Sequence, residues 1–159
     1  MKIPIVNTDM FAEIDDEDYQ TVRNYHWCMS KAGERTAYAQ TSKKIYGKLT
    51  TILMHRLILG INEYAVIVDH IDGNGLNNRR SNLRTATRAQ NNANRRKSKH
   101  NTSGYKGVYT AKNCPTRPFY AELKTKTVRL RGQQRETAPE AYEDYKKFAI
   151  DTYGEFAKL

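Results

Sequence analysis

A helical pattern near the C-terminal end, behind three short β-prone segments, is the feature that most constrains the fold. Pro139 opens the helix, and one stripe of it is formed by Ala141, Tyr142, Tyr145, Phe148, Ala149 and Thr152. The β-prone segments are 104–109, 119–123 and 127–130. An apolar helical stripe has to be covered by another layer, and three alternating segments supply a sheet. The pattern therefore predicts a self-sufficient unit of three strands and one helix.

The N-terminal third, 1–62, favours a small sheet. Its β-prone segments 37–39 and 49–54 are separated by Gly33 and by the turn 46–48. The acidic run 13–18 precedes a short helix predicted over 22–27, where carboxylates at a helix start are stabilised by the macrodipole. We interpret these acids as caps, although adjacent carboxylates can also perform acid-base chemistry. Tyr25 and Trp27 are expected to pack this module, with base stacking as the alternative.

The middle section, 63–97, predicts the order strand, loop, strand, helix. The first strand is 66–68, Gly73 and Gly75 form a tight turn with Asn74, and 81–84 returns extended. A helix begins near Thr87, where Thr87 and Gln90 have the spacing of a capping box. A charged linker, 97–101, follows. We predict an α+β fold in three segments, 1–62, 63–97 and 98–159.

The charge balance favours a polyanionic partner. The 159 residues carry 27 Lys and Arg against 17 Asp and Glu, a net charge of +10. No acid lies between Asp72 and Glu122, and this stretch contains Arg79, Arg80, Arg84, Arg88, Arg95, Arg96, Lys97, Lys99, Lys106, Lys112 and Arg117. A basic surface kept for solubility is the plainer interpretation. We favour nucleic acid, because phosphates would neutralise the mutual repulsion of these cations.

Cysteine usage and hydropathy exclude several classes of protein. Cys28 and Cys114 lie far apart without CxxC spacing, which argues against a disulfide framework and a Cys-ligated zinc site. No apolar run approaches the roughly 18 residues of a membrane span, and the N-terminus lacks a signal-peptide pattern. We expect an intracellular protein that is neither secreted nor membrane-bound.

The residues most suited to chemistry lie in the segment 68–74. The imidazole of His70 can deprotonate a water near neutral pH, and the adjacent carboxylate of Asp69 is a hard oxygen ligand suited to magnesium. The amide of Asn91, from the first turn of the following helix, can supply a second oxygen. This combination suits phosphodiester hydrolysis. His55 is expected to be a satisfied structural histidine, with a second base as the alternative, whereas His26 and His100 belong to no cluster.

The middle section resembles the HNH endonucleases, specifically the phage and intron-encoded homing type. The similarity runs through 54–58, 68–74, 77–84 and 87–91. It implies a ββα-metal motif around one divalent ion, with His70 as general base and Asp69 and Asn91 as metal ligands. It also implies that Asn82 orients the histidine loop by hydrogen bonding. Asparagine replaces the final histidine, as in an HNN variant of the family, and the implied cofactor is Mg²⁺, for which Mn²⁺ can substitute.

The C-terminal sixty residues resemble the AP2 DNA-binding domain, through 103–108, 119–121 and 154–157. That family lays a three-stranded sheet in the major groove. Phe119 stands where a tryptophan is usual, and the strand 130–132 is a distorted version of the usual one. The resemblance implies DNA contacts by Arg117, Lys124, Lys126, Arg129 and Arg131. The acid-free basic stretch adds Arg79, Arg80, Arg84, Arg88, Arg95, Arg96, Lys97 and Lys106 as predicted DNA contacts.

Two functions of different class remain open from the sequence. The first is a magnesium-dependent homing-type endonuclease that acts on double-stranded DNA without a small-molecule cofactor, in the host cytoplasm if phage-encoded. In it the motif at 63–97 cuts, and the flanking modules choose the site, with 1–62 as a β-rich module for DNA binding or support and 98–159 as the AP2-like module. One motif gives one active site and no heptad indicates a dimer, so we expect a monomer that nicks one strand. The second is a DNA-binding regulator that keeps the folds without cleavage. Deletion of 101–159 is expected to leave the metal site folded and weakly nicking, with much lower DNA affinity and selectivity.

Overall fold

The computed structural model describes residues 1–6, 8–30 and 37–159. The chain divides into two compact units, 1–87 and 88–159. This division does not coincide with the three predicted segments, because residues of the first two segments share one core. The three-segment division into functional modules stays a prediction.

The first unit is built from three small antiparallel sheets. The first sheet contains β1 (Lys2–Pro4) and β2 (Phe11–Glu13), and the helix α1 (Tyr19–Val22) follows it. The second sheet contains β3 (Cys28–Met29), β4 (Ala39–Ile45) and β5 (Lys48–Leu53). The remaining elements are α2 (Met54–Ile58), β6 (Ile67–His70) and β7 (Leu83–Ala86). Strands pair as β1-β2, β3-β4-β5 and β6-β7. The short strands follow from the frequent turn residues between them.

The core of the first unit joins its N-terminal strands to the β6–β7 region. Ile5, Ile14 and Trp27 are almost completely buried, and Leu76 and Leu83 belong to the same cluster. The backbone of Glu13 bonds to the loop before β7, with Glu13 N donating to Leu76 O over 2.7 Å. Trp27 therefore packs the core, as predicted.

The second unit begins with α3 (Arg88–Ala93) and contains one three-stranded sheet and one long helix. The strands are β8 (Val108–Thr110), β9 (Phe119–Lys124) and β10 (Arg129–Arg131), in the order β10-β9-β8, and the helix is α4 (Ala138–Tyr153). Thr137 and Glu140 form a capping box at the start of α4. Tyr145 packs on the sheet close to Gly107, where a Cβ would overlap its ring. The predicted sheet with one covering helix is present.

Two local predictions differ from the structure or lie beyond it. The helix predicted over 22–27 instead occupies Tyr19–Val22, preceded by a 3-10 turn at Asp16–Asp18. The indole of Trp27 donates to Val22 O over 3.0 Å, which fixes the chain in a turn after this helix. Gly33 lies outside the described residues.

Within the part of the chain that the structure describes, no helix combines the length and apolar character needed to cross a bilayer.

Candidate active site

His70 lies at the end of β6, where the pairing of β6 with β7 places it opposite Leu83. Its side chain is buried, and Nε2 lies 3.3 Å from Oδ1 of the fully buried Asn78. The amide nitrogen of Asn78 donates to Leu76 O over 3.2 Å, so its Oδ1 must face His70 as an acceptor. Nε2 of His70 therefore carries a proton, and in the neutral ring Nδ1 is the basic nitrogen.

The environment keeps His70 neutral at physiological pH. Burial lowers the pKa of His70, and this outweighs the hydrogen bond to Asn78 and the nearby carboxylates of Asp72 and Asp69, which raise it. A neutral imidazole can accept a proton, whereas an imidazolium cannot. The residue predicted as general base is thus in the protonation state that this role requires.

His55, on α2, packs edge-on against His70 with ring centroids 4.9 Å apart. Tyr38 contacts both rings, at 5.4 Å from His55 and 5.6 Å from His70. Burial, together with His70 and Arg56, lowers the pKa of His55 to about 3. Among the described residues, no group hydrogen-bonds the buried Nδ1 of His55. The expectation of a fully satisfied histidine is therefore wrong for this nitrogen, and His55 is a neutral packing neighbour of His70.

Asn82 holds the loop that follows His70. Its Nδ2 donates to Asp72 Oδ1 over 3.0 Å and to Asn77 O over 2.8 Å, and its Oδ1 accepts from the backbone N–H of Asp72 over 3.0 Å. Burial acts to raise the pKa of Asp72, but hydrogen bonds from Asn74, Asn77 and Asn82 outweigh it and lower the pKa. Asn82 therefore occupies the place in the loop that its predicted orienting role needs.

Asp69 and Arg84 face each other across the β6–β7 pair and form an ion pair. Arg84 Nε lies 3.1 Å from Asp69 Oδ2, and both side chains are largely buried. The carboxylate predicted to bind metal thus has a cationic partner, and Arg84, predicted to bind DNA, has a carboxylate partner. Asn91, the second predicted ligand, lies half-buried on α3 in the second unit.

The acidic run near the N-terminus anchors the arginines that follow the histidine loop. Arg80 makes a bidentate pair with the buried Asp18, at 2.7 and 3.0 Å, and its backbone N–H donates to Asp15 over 2.8 Å. Arg79 lies 3.4 Å from Glu13. No side-chain capping bond forms at the 3-10 turn or at α1. The acids Asp16, Glu17 and Asp18 do lie in the first turn of the 3-10 helix, but none of them caps it through a side-chain hydrogen bond. The run also supplies ion-pair partners to arginines from a distant part of the chain.

The remaining predicted DNA contacts lie in the second unit. Arg88 lies on α3, and Arg95, Arg96 and Lys97 follow it and are exposed. The ammonium of Lys106 instead donates to Ala93 O over 2.5 Å and Lys158 O over 2.8 Å, and burial, with Lys158, lowers its pKa to about 8. Arg117 lies 3.7 Å from Glu136 in an exposed pair.

The face of the C-terminal sheet opposite α4 carries aromatic and cationic side chains. Tyr109 stacks on Tyr120 across the β8–β9 pair, with centroids 5.9 Å apart, and the Arg131 guanidinium lies 4.1 Å from the Tyr120 ring. Arg129, paired with Glu122 at 2.8 Å, and Lys124 occupy the same face by strand register. Lys126 lies exposed in the turn before β10. Three of the predicted contacts thus share one solvent-facing surface.

Sequence reasoning missed Asn78 and the anchoring acids. The Asn77-Asn78 pair was visible in the sequence, but only the fold shows that Asn78 sets the tautomer of His70. Nothing in the spacing indicated that Asp18, 62 positions away, would bind Arg80.

Comparison with known proteins gives one family match and one relative. Residues 60–93 match the HNH endonuclease family. An uncharacterized HNH endonuclease of Acanthamoeba polyphaga mimivirus is 29% identical over 147 residues, which cover 92% of this chain and 73% of that protein. No solved structure matches the chain. The resemblance of the C-terminal residues to AP2 domains receives no support from these comparisons. The comparisons support an HNH endonuclease domain at residues 60–93, the region that contains Asp69, His70, Asn82 and Asn91.

Proposed function

We propose that the protein is a magnesium-dependent DNA endonuclease of the homing type that hydrolyses one phosphodiester bond and nicks one strand. The observation that carries the proposal is the state of His70. It is buried, kept neutral, and bound through Nε2 to Asn78, within the region that matches the HNH endonucleases. A base held in one tautomer beside a carboxylate is the arrangement that water activation needs.

In this mechanism His70 removes a proton from the attacking water through Nδ1. The ring does not have to rotate, because Asn78 holds Nε2 and the hydrogen bonds of Asn82 hold the loop that follows His70. A base fixed in its reactive orientation avoids the entropy cost of finding it. Asn82 and Asn78 therefore act as positioning residues, and His70 acts as the catalytic residue.

The donor set fits a divalent cation that prefers oxygen. Among the described residues, no three His, Cys, Asp or Glu side chains cluster closely enough to hold an ion alone. Magnesium needs no such cage, because it binds through one or two carboxylates, waters and substrate phosphates. We assign Asp69 and, from the family resemblance, Asn91 as its ligands, with Mn²⁺ as a substitute. When bound, the ion would polarise the scissile phosphate and stabilise the charge that develops on it.

Binding to double-stranded DNA is proposed for the second unit. The solvent-facing sheet surface carries Tyr109, Arg129 and Arg131, and AP2-like docking would place it in the major groove. The exposed cations after α3 would contact phosphates and set the register on the duplex. We propose that the protein acts as a monomer inside cells.

The alternative is a DNA-binding regulator that does not cut. The observation in its favour is the largely buried ion pair between Arg84 and Asp69, which gives the predicted metal ligand a cationic partner. In the nuclease, magnesium would have to compete with Arg84 for this carboxylate, and a phosphate would have to compete with Asp69 for the Arg84 guanidinium.

Relaxation of supercoiled plasmid separates the two functions without knowledge of the target sequence. The nuclease should convert supercoiled plasmid to open circles in Mg²⁺ and leave it intact in EDTA. Binding without relaxation in Mg²⁺ or Mn²⁺ would support the regulator. Simultaneous appearance of linear product would contradict nicking of a single strand.

A further inference from the structure

The hairpin of β4 and β5 projects a turn whose sequence and conformation conflict with ordinary hairpin chemistry. Tyr46 and Gly47 form its two-residue turn, with φ of 48° and 78°. Two-residue turns with positive φ at both positions favour Asn-Gly or Asp-Gly, because an aromatic side chain is strained there. Within the described residues, Tyr46 is the one non-glycine position with positive φ.

The tip is also exposed in a way that the fold of this unit does not require. Tyr46 is fully exposed, and Leu49 is 73% exposed. An aromatic residue kept in a strained and fully solvated position indicates a role outside the packing of its own unit.

The positive charge of the hairpin indicates what kind of partner it binds. Lys43, Lys44 and Lys48 flank the tip, and the sequence contains no acid from position 37 to 62. The register pairs Lys43 with Thr50, Lys44 with Leu49, and Ile45 with Lys48. Lys43 and Lys48 therefore lie on one face of the ribbon, and Lys44 on the other. A ribbon inside a DNA groove meets phosphates on both sides, and the major groove admits a two-stranded ribbon.

We propose that this hairpin enters the major groove of duplex DNA, with its lysines on the flanking phosphates and Tyr46 stacked or wedged against the bases at its tip. The inference rests on the proposed function in that DNA is the partner, and it does not require cleavage. Tyr38, which contacts His70, precedes β4 directly. Eight residues of extended chain from Tyr38 to Tyr46 span roughly 25 Å. The tip would thus lie about seven base pairs from the bond that the water activated by His70 attacks.

The test measures binding of the full-length protein to a labelled 40-base-pair duplex in EDTA, at several salt concentrations. Replacement of the three lysines by glutamine should lower the salt slope by up to about 2.7, at about 0.9 for each phosphate that a lysine no longer neutralises. Lys147→Gln, at an exposed position on α4, is the charge control. It should leave the affinity within about twofold of the wild type, as expected for an isolated surface charge.

Tyr46→Asn tests the tip while keeping the turn, because Asn tolerates positive φ. We expect roughly tenfold weaker DNA binding, the effect of removing one aromatic ring from a base stack, and a thermal midpoint no lower than that of the wild type. Tyr64→Asn is the matched control, since Tyr64 is 88% exposed in the same unit. It should leave DNA affinity unchanged.

Wild-type affinity and salt slope in both hairpin variants would overturn the proposal. If the same variants instead change the sedimentation coefficient without changing DNA binding, the hairpin contacts a protein, which also overturns it. Plasmid relaxation run in parallel separates this inference from the proposed function. Hairpin-dependent binding without plasmid relaxation would support the role of the hairpin and refute the nuclease. Plasmid relaxation with hairpin-independent binding would support the nuclease and refute the role of the hairpin.

Discussion

Replacement of Asn82 tests whether the loop after His70 is held as the structure shows. Asn82→Ala removes three hydrogen bonds, two with neutral backbone groups and one with the Asp72 carboxylate. At about 1 kcal/mol for each, the free energy of unfolding should fall by about 3 kcal/mol. With an m value of about 2 kcal/mol/M, the urea midpoint should fall by about 1.5 M.

The fluorescence of Trp27, the single tryptophan, reports on unfolding of the unit that contains Asn82. Asn24→Ala, at an exposed position in the same unit, is the control and should leave the midpoint unchanged. Asn82→Asp retains the acceptor for the Asp72 N–H but places a second carboxylate beside Asp72. The repulsion raises the pKa of the new carboxyl in the folded state, so this variant should regain stability relative to the wild type as pH falls. A midpoint of Asn82→Ala within about 0.2 M of the wild type would refute the reasoning, since removal of even one hydrogen bond should exceed it.

Three further predictions follow from other contacts. Asp69→Ala should abolish nicking at low Mg²⁺ and recover part of it at high Mn²⁺, whereas identical activity at every metal concentration would remove the ligand role. Between pH 6.5 and about 3, the free energy of unfolding of the wild type should fall relative to His55→Gln by about 1.4 kcal/mol for each pH unit of acidification, because burial depresses the folded pKa of His55 and the unfolded chain takes up the proton first. Parallel pH profiles by Trp27 fluorescence would contradict this. Deletion of 101–159 should impair nicking, measured on plasmid, as well as DNA affinity, measured on a labelled duplex. The reason is that α3 packs on α4 and that Lys106 binds Ala93 O. Full nicking by the truncated chain would contradict this prediction.

The last prediction differs from the expectation that deletion of 101–159 leaves the metal site folded. The polar composition of 97–101 suggested a linker between independent parts. In the structure α3, which carries Asn91, packs within the C-terminal unit. A local composition shift predicts where a chain is solvated, but it contains no information on which helix packs against which.

Elements with strong local signals could be predicted from the sequence. The capping residues Thr137 and Glu140 flank Pro139, and α4 begins at Ala138. The β6 strand ends at His70 and its partner begins at Leu83, close to the predicted order of strand, loop and strand. Both depend on turn and capping chemistry, which is readable over a few residues.

Long-range partners could not be predicted. The cations after Asp72 were expected to repel one another for lack of nearby acids, yet Arg79, Arg80 and Arg84 find carboxylates from other strands and turns. The distribution of charge along the sequence therefore overstated the positive field of this region. The hydrogen bond of Asn78 to His70 escaped prediction for a related reason, because either of two adjacent asparagines could face the ring.

A comparison of strand scission and DNA binding by the His70→Ala variant tests the central claim most directly. The imidazole acts on the attacking water and contributes little to ground-state binding. We predict that plasmid relaxation in Mg²⁺ falls by about 10²–10⁴-fold, while affinity for a labelled duplex in EDTA stays within about twofold of the wild type. Relaxation by His70→Ala at the wild-type rate would contradict the assignment of His70 as the general base.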